Sequence, residues 1–404
     1  MKLYLAALAA AIAAFPAVPA TAAGLQTAPA AQQPTIGQPS DKARASIVAL
    51  QTAVKANDTA AIAAKLAAAQ AAAKTPTDHY WIAKLQLDAA VASNNLPAIQ
   101  QAIDAVVATN VVPASQVAGL YASLGDRFDK AKQYDQAVAA FQKASALVPS
   151  DENYLLLIAQ TRVDQGNKPE AVAALEKAIQ MSKAAGKTPD EKLYRNAVGL
   201  AYEAKMPNAV SLSREWLTAY PSDDSWKNAI AIYRNVNGGD PNNLLDVLRL
   251  ARLTKGMQTE NDYYAYAAKA HELGDFGEAV SVVDEGIAAG KLKASDPDIA
   301  AILKDSKPKV PTPADLAAAE KAARIPTAYI RVGDRYYAAG NYQKAADLYR
   351  EALAKGADAG LANLRLGEAL ARSGDKAGAT AALNAVGGTR SDLAKFWLLY
   401  VQTH

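Results

Sequence analysis

Apolar residues recur along this chain at intervals of three and four, the stripe of an amphipathic helix rather than the alternation of a strand. In one stretch Tyr121, Leu124, Gly125 and Phe128 fall at i, i+3, i+4 and i+7, and Ala137, Phe141 and Ala144 form a matching stripe before Pro149. Two helices joined by a short turn are predicted. Small residues at Gly125 and Ala137 let the two backbones approach, and Phe128 and Phe141 fill the space that remains. Pro149 stops the second helix and redirects the chain.

The same pattern returns with a fixed step. Ala171 follows Ala137 by 34 residues; Gly333 to Gly367, Gly340 to Gly374 and Ala345 to Ala379 repeat that interval. Tyr329, Val332, Gly333, Tyr336, Ala345 and Tyr349 are answered in phase by Asn363, Leu366, Gly367, Leu370, Ala379 and Leu383. An Ala-rich sequence supplies alanines by chance, but not glycines and aromatics in register. The phased pattern of a large residue, Leu-Gly, Tyr, then Ala, Phe, Ala and Pro resembles the tetratricopeptide repeat family. That resemblance implies an all-α fold, a right-handed α-solenoid of stacked antiparallel helix pairs. It is strong over 118 to 185 and 326 to 387, moderate over 190 to 290, and weak before 112. About nine helix pairs are expected in total. The copy at 192 to 222 places Gly199 and Ala209 ten residues apart where others have twelve, which predicts a shortened turn. Another turn is expected at Gly238-Gly239-Asp240-Pro241.

Regions outside the repeat have their own chemistry. Lys2, the apolar run Leu3 to Phe15, and the small residues before Ala22 and Ala23 read as a secretory signal peptide over 1–23. The run is too short to span a bilayer as a helix. Residues 24–40, rich in Pro, Gln, Ala and Thr, read as a disordered leader. An N-terminal solenoid block is then expected over 41–291 and a C-terminal repeat pair over 326–390. Between them, 292–325 holds Pro297, Pro308, Pro311 and Pro313 and reads as a linker or an insertion. In 391–404, Leu393, Phe396, Trp397 and Tyr400 share one face, as a capping helix requires.

Composition then removes function classes. The chain of 404 residues has 43 Lys and Arg against 40 Asp and Glu, so a phosphate-neutralising nucleic-acid surface is not expected. With no cysteine and three histidines, His79, His271 and His404, thiolate chemistry is excluded and no local histidine metal pair exists. No phosphate loop, dinucleotide fingerprint, zinc-protease helix or nucleophile elbow occurs. No catalytic, cofactor or metal residues are therefore assigned, and no transmembrane segment is expected in the mature chain. The excess of small apolar residues, 51% hydrophobic with only 7% aromatic, suits close helix crossings.

The resemblance implies a concave groove lined by first-helix residues outside the core, a surface that binds peptides or partner helices. In the register above, the candidate groove residues are Asn196, Lys227, Arg234, Tyr264, His271, Asp334, Tyr337 and Glu368, with Arg372 beside them. Family members that grip acidic chaperone tails use Lys and Asn on successive first helices. Here those positions hold Ala122, Asp126, Leu156 and Gln160, so an anionic tail is disfavoured. The expected function is an exported, periplasmic or envelope-associated scaffold for a protein or peptide. The alternatives are a self-associating envelope protein and, more remotely, a superhelical cell-wall enzyme.

Overall fold

A computed structural model describes residues 36–236 and 243–404. The signal segment, residues 24–35 of the leader and the turn at 238–241 lie outside the described residues. Those described form 21 α-helices and two short 3-10 turns, with no strand among them. The chain divides into two compact units, ending at Leu124 and beginning at Gly125.

The first unit contains α1 (Asp41–Lys55), α2 (Thr59–Ala72), α3 (Pro76–Ala92), α4 (Leu96–Ala108) and the first part of α5 (Ala114–Lys130). Helix α1 packs on α2 and α3, burying Ile47, Leu50, Ile82 and Leu85. Asp78, in the first turn of α3, organises the approach to α1. Its buried carboxylate accepts from Ser40 N (2.7 Å), Ser40 Oγ (2.9 Å), Lys74 N and Thr75 N (both 3.1 Å). Trp81 Nε1 donates to the Gly37 carbonyl at 2.9 Å. The described end of the leader, 36–40, is thus fastened to α3.

The second unit continues as α6 (Tyr134–Leu147), α7 (Asn153–Asp164), α8 (Lys168–Ala184), α9 (Glu191–Glu203), α10 (Ala209–Ala219) and α11 (Asp223–Val236). Beyond residue 242 come α12 (Leu244–Leu253), α13 (Glu260–Leu273) and α14 (Phe276–Ala288). The repeat phase then yields to α15 (Pro297–Ser306) and α16 (Pro313–Ala322), and resumes with α17 (Pro326–Ala338), α18 (Tyr342–Ala354), α19 (Ala359–Ser373) and α20 (Lys376–Asn384). Helix α21 (Ser391–Thr403) ends the chain. From α6 to α11 each helix packs on its sequence neighbour, as in a stack of pairs.

The phased small residues sit where the helices cross. Ala137, Ala171, Ala345 and Ala379 are fully buried. A Cβ built on Gly333 would lie 2.7 Å from the Tyr349 ring, and one on Gly367 2.5 Å from Leu383. First helices end in left-handed turns at Gly340 (φ 77°) and Gly374 (φ 89°), and Asn341 and Asp375 cap the helices that follow. The expected short turn between α9 and α10 is not found. Residues 204–208 form a longer turn than 339–341 between α17 and α18, so the deficit falls on the helices instead, chiefly on the first turn of α10, which opens at Ala209 without a side-chain cap.

Residues 292–325 are largely helical and packed. Ile299 and Ile302 of α15 and Leu316 of α16 are buried, α15 lies against α13 and α14, and α16 lies against α17. Helix α21 packs on α19 and α20 and reaches further, towards α10 and α11. Arg214 of α10 pairs with Asp392 at 3.2 Å, and the Tyr233 ring of α11 meets Phe396 edge-on at 5.7 Å.

Candidate functional site

The groove positions divide into two sets. On α9, α11 and α13 they remain at least partly accessible. Asn196 and Lys227 are half-buried, and Tyr264 is 37% exposed. Arg234 is spent on Asp262 at 2.6 Å, where it holds the capping carboxylate of α13. His271 bonds Ser306 Oγ at 3.0 Å, lies 3.4 Å from Asp305, and rests edge-on against Phe276, so it fastens α15 to the stack. Alongside them, α7 presents Gln160 and Val163, both exposed, and the half-buried Leu156. Apolar side chains flanked by amides and hydroxyls form a surface suited to a peptide or helix.

On α17 and α19 the outcome is different. Asp334, Tyr337 and Glu368, expected to line an open groove, are buried. The physical reason is α12. All seven residues from Leu245 to Ala251 are buried, so this helix is surrounded rather than half-covered. Its Arg249 lies with its guanidinium 4.3 Å from the centre of the Tyr337 ring and 3.6–3.7 Å from Asp334 and Glu368. The groove positions of the C-terminal pair are therefore filled by a helix of the same chain. Arg372 is half-buried and stacks on Tyr342 (4.6 Å), which in turn meets Tyr337 edge-on.

Residues outside the candidate set complete this buried cluster. Arg249 makes a two-pronged pair with Glu278 of α14 (Nε to Oε1 2.9 Å, Nη2 to Oε2 2.7 Å), and Tyr266 of α13 donates to the same carboxylate. Arg365 of α19 bonds Asp246 of α12 at 3.2 Å and also Asp334, which accepts from Tyr349 of α18 at 2.7 Å. Asp275, the first residue before α14, is buried beside them. Burial disfavours the charged form of Glu278, but Arg249 outweighs it and holds that carboxyl below its ordinary range. Burial pushes Asp275 and Glu368 well above theirs; neighbouring carboxylates add to this and the two guanidinium groups offset it only in part. Asp334 is raised by burial too, against the pull of Arg365 and Arg249.

Repeat phasing does not mark Asp246, Arg249, Glu278 or Arg365, because their pairings cross between helices, 29 residues apart for Arg249 and Glu278 and 119 for Asp246 and Arg365. One signal was local. In Leu244-Leu245-Asp246-Val247-Leu248-Arg249-Leu250 an Asp and an Arg stand at i and i+3 inside an otherwise apolar helix, which marks a buried ion pair rather than a solvated face. No group of three or more acidic or histidine side chains among the described residues is placed to hold a metal ion. No described helix is long and apolar enough to cross a membrane.

A tetratricopeptide repeat model matches residues 122–186, 156–225 and 332–391. The chain is similar to the solved structure of a tetratricopeptide repeat protein from Parabacteroides merdae, with 11% identity over 72% of this chain and 99% of that one, at a TM-score of 0.28. It is also similar to the TPR2AB–pHSP90 complex of yeast Sti1 (14% identity, 71% of this chain and 99% of that one, TM-score 0.26). A third likeness is to Pseudomonas aeruginosa pilF (14%, 57% and 91%, TM-score 0.24). No curated protein matches. The repeat model, the 34-residue phase and the paired helices together show that residues 122–225 and 332–391 are built of tetratricopeptide repeats.

Proposed function

We propose that the chain is an exported scaffold that holds a protein or peptide, without catalysis, against the first-helix faces of α7, α9, α11 and α13. The observation that carries this reading is internal to the molecule: on α17 and α19 the equivalent positions already receive a helix, α12, through Arg249. On α7 to α11 no helix among the described residues buries them, and Leu156, Gln160, Val163, Asn196 and Lys227 remain accessible. Tyr264 adds an aromatic of the type enriched at binding hot spots. The near balance of acidic and basic residues favours a partner held by shape and local hydrogen bonds over one drawn by bulk charge. Export rests on Lys2, the Leu3 to Phe15 run and the small residues ending at Ala22 or Ala23.

A photo-crosslinking amino acid placed at Asn196 or Lys227 in the native cell tests the face, with Lys177 on the outer side of α8 as the reference. Adducts of one defined heavier mass at 196 and 227, absent at 177, are expected. Equal capture at all three sites overturns the groove, and adducts made only of two copies of this chain replace it with self-association. Mass spectrometry of the mature chain tests export: an N-terminus at residue 23 or 24 is expected, and an uncleaved Met1 chain removes that part of the reading.

A further inference from the structure

Five buried carboxyl groups in the second unit face only two guanidinium groups. Helix α12 brings Asp246 and Arg249, α14 and its cap bring Glu278 and Asp275, α17 brings Asp334, and α19 brings Arg365 and Glu368. The three tyrosines that close the cluster, Tyr266, Tyr337 and Tyr349, are each pushed above the ordinary phenol range by burial and stay neutral. Arg252, at the end of α12, adds some positive potential at Glu278 but is committed to Glu285 at 2.6 Å.

Hydrogen bonds decide which carboxyls engage the two cations. Glu278 takes Arg249 with both oxygens, and Asp246 and Asp334 share Arg365. That leaves two acids. Glu368 is 0% exposed and neither of its oxygens has a hydrogen-bond partner among the described residues; its nearest cation, Arg249 Nη1, is 3.6 Å away and equally unbonded. Asp275 is buried and makes no side-chain cap bond to α14. A buried carboxylate with neither a hydrogen bond nor a cation of its own is far more costly than a neutral acid in the same place.

We propose that the embrace of α12 by α17 and α19 is a proton-linked clasp, closed with Glu368 and Asp275 as neutral acids and loosened when they lose their protons. The sign follows from linkage. Acids that bind their protons more tightly closed than open favour the closed form at low pH, and the advantage fades as pH rises from the ordinary carboxylate range towards the raised closed-state values. Within that window each such acid shifts the closing equilibrium up to tenfold per pH unit. Opening returns Asp334, Tyr337 and Glu368 to solvent as a second, acidic groove. A chain exported from the cell meets the pH of its surroundings there, but the clasp depends on the cluster alone and stands or falls apart from the proposed function.

Hydrogen exchange of the full chain between pH 5.5 and 8.5, corrected for intrinsic rates, tests this. Protection of α12 and α19 should fall at least tenfold across the range, while α7 in the same unit holds its protection. Glu368→Gln, which keeps the shape of the neutral acid, should reduce that slope, and Glu368→Gln with Asp275→Asn should flatten it while leaving protection high at pH 8.5. A flat wild-type profile overturns the clasp whatever the variants do. So does a double variant that folds and keeps the wild-type slope.

Discussion

Replacing a helical glycine by alanine ordinarily stabilises, by about 1 kcal/mol, because alanine restricts the unfolded chain and favours the helix. Gly333 of α17 should reverse that sign. The added Cβ would lie 2.7 Å from Tyr349 Cε1 and 3.0 Å from Cδ1, where carbon atoms normally rest about 3.5–4.0 Å apart, so ring or helix must retreat by roughly 1 Å. The ring has nowhere to go. Tyr349 is fully buried and its hydroxyl is tied to Asp334 at 2.7 Å. Overpacking of this kind costs about 1–3 kcal/mol, and stretching the tether adds up to about 1 kcal/mol. After the propensity gain, Gly333→Ala should lose about 1–3 kcal/mol. Gly367→Ala should cost less, because the obstructing Leu383 is an untethered aliphatic chain that can change rotamer. Gly119 of α5 is the control: it is exposed, with nothing within 4 Å of the added Cβ, and its replacement should stabilise by up to about 1 kcal/mol.

Because a repeat array need not unfold in one step, the appropriate measure is local hydrogen exchange. Protection in α17 and α18 should drop about 5- to 150-fold in Gly333→Ala, the equivalent of the energies above. If Gly333→Ala matches or exceeds wild-type protection, as Gly119→Ala is expected to do, the glycine is not holding two helices at close approach and the crossing geometry is wrong.

Ala345→Leu and Ala379→Leu, both at fully buried crossings, should each cost about 1–3 kcal/mol in urea unfolding, and Ala357→Leu in the turn between α18 and α19 much less; equal effects would refute the repeat register. Arg249→Ala should cost about 3–5 kcal/mol by stranding Glu278, and Arg249→Met with Glu278→Gln should recover much of it; a harmless single variant would show that the pair is not buried. In the first unit, burial alone would raise the Asp78 carboxyl, but hydrogen bonds from Lys74, Ser40 and Thr75 outweigh it and hold the group well below the carboxylate range. Its contribution is therefore fully present above the ordinary value of about 4 and is lost as pH falls below it. Fluorescence of Trp81, the single tryptophan of that unit, in variants lacking the other three should show acid loosening that Asp78→Ala already displays at neutral pH, at a cost of about 2–3 kcal/mol.

The helix pairs were legible because their determinants are local and periodic. Gly333, Ala345 and Tyr349 declare a crossing within seventeen residues, and Gly340 and Asn341 mark its turn. The α9–α10 irregularity was visible as a two-residue deficit but not as a lost first turn, since spacing counts residues without saying which element gives them up. The insertion was harder still. Two of its four prolines, Pro297 and Pro313, open α15 and α16, where proline is tolerated, and so mark helix starts as readily as a linker.

At the groove, repeat register stops being informative. Register places Asp334, Tyr337 and Glu368 on the same face as Asn196 and Lys227, yet only the latter two stay accessible, because occupancy of a face depends on what lies across from it. An acidic residue on a first helix reads as solvated when its neighbours in sequence are considered, and Glu368 has no local feature to contradict that. Its nearest cation, Arg249, sits on a helix whose own sequence does carry a warning: a charge pair at i and i+3 within a run of leucines is stable only if matching charges surround it. An apolar α12 would pack into the same space at lower desolvation cost, but leucines alone accept many registers against α17 and α19. Arg249 and Asp246 accept one, because a slip along either helix would separate two arginines from the carboxylates that neutralise them. Exchanging the charges tests this directly. Asp246→Arg with Arg365→Asp should restore α12 protection lost in either single variant, whereas no recovery in the pair would mean that the leucines set the register and the ions merely follow.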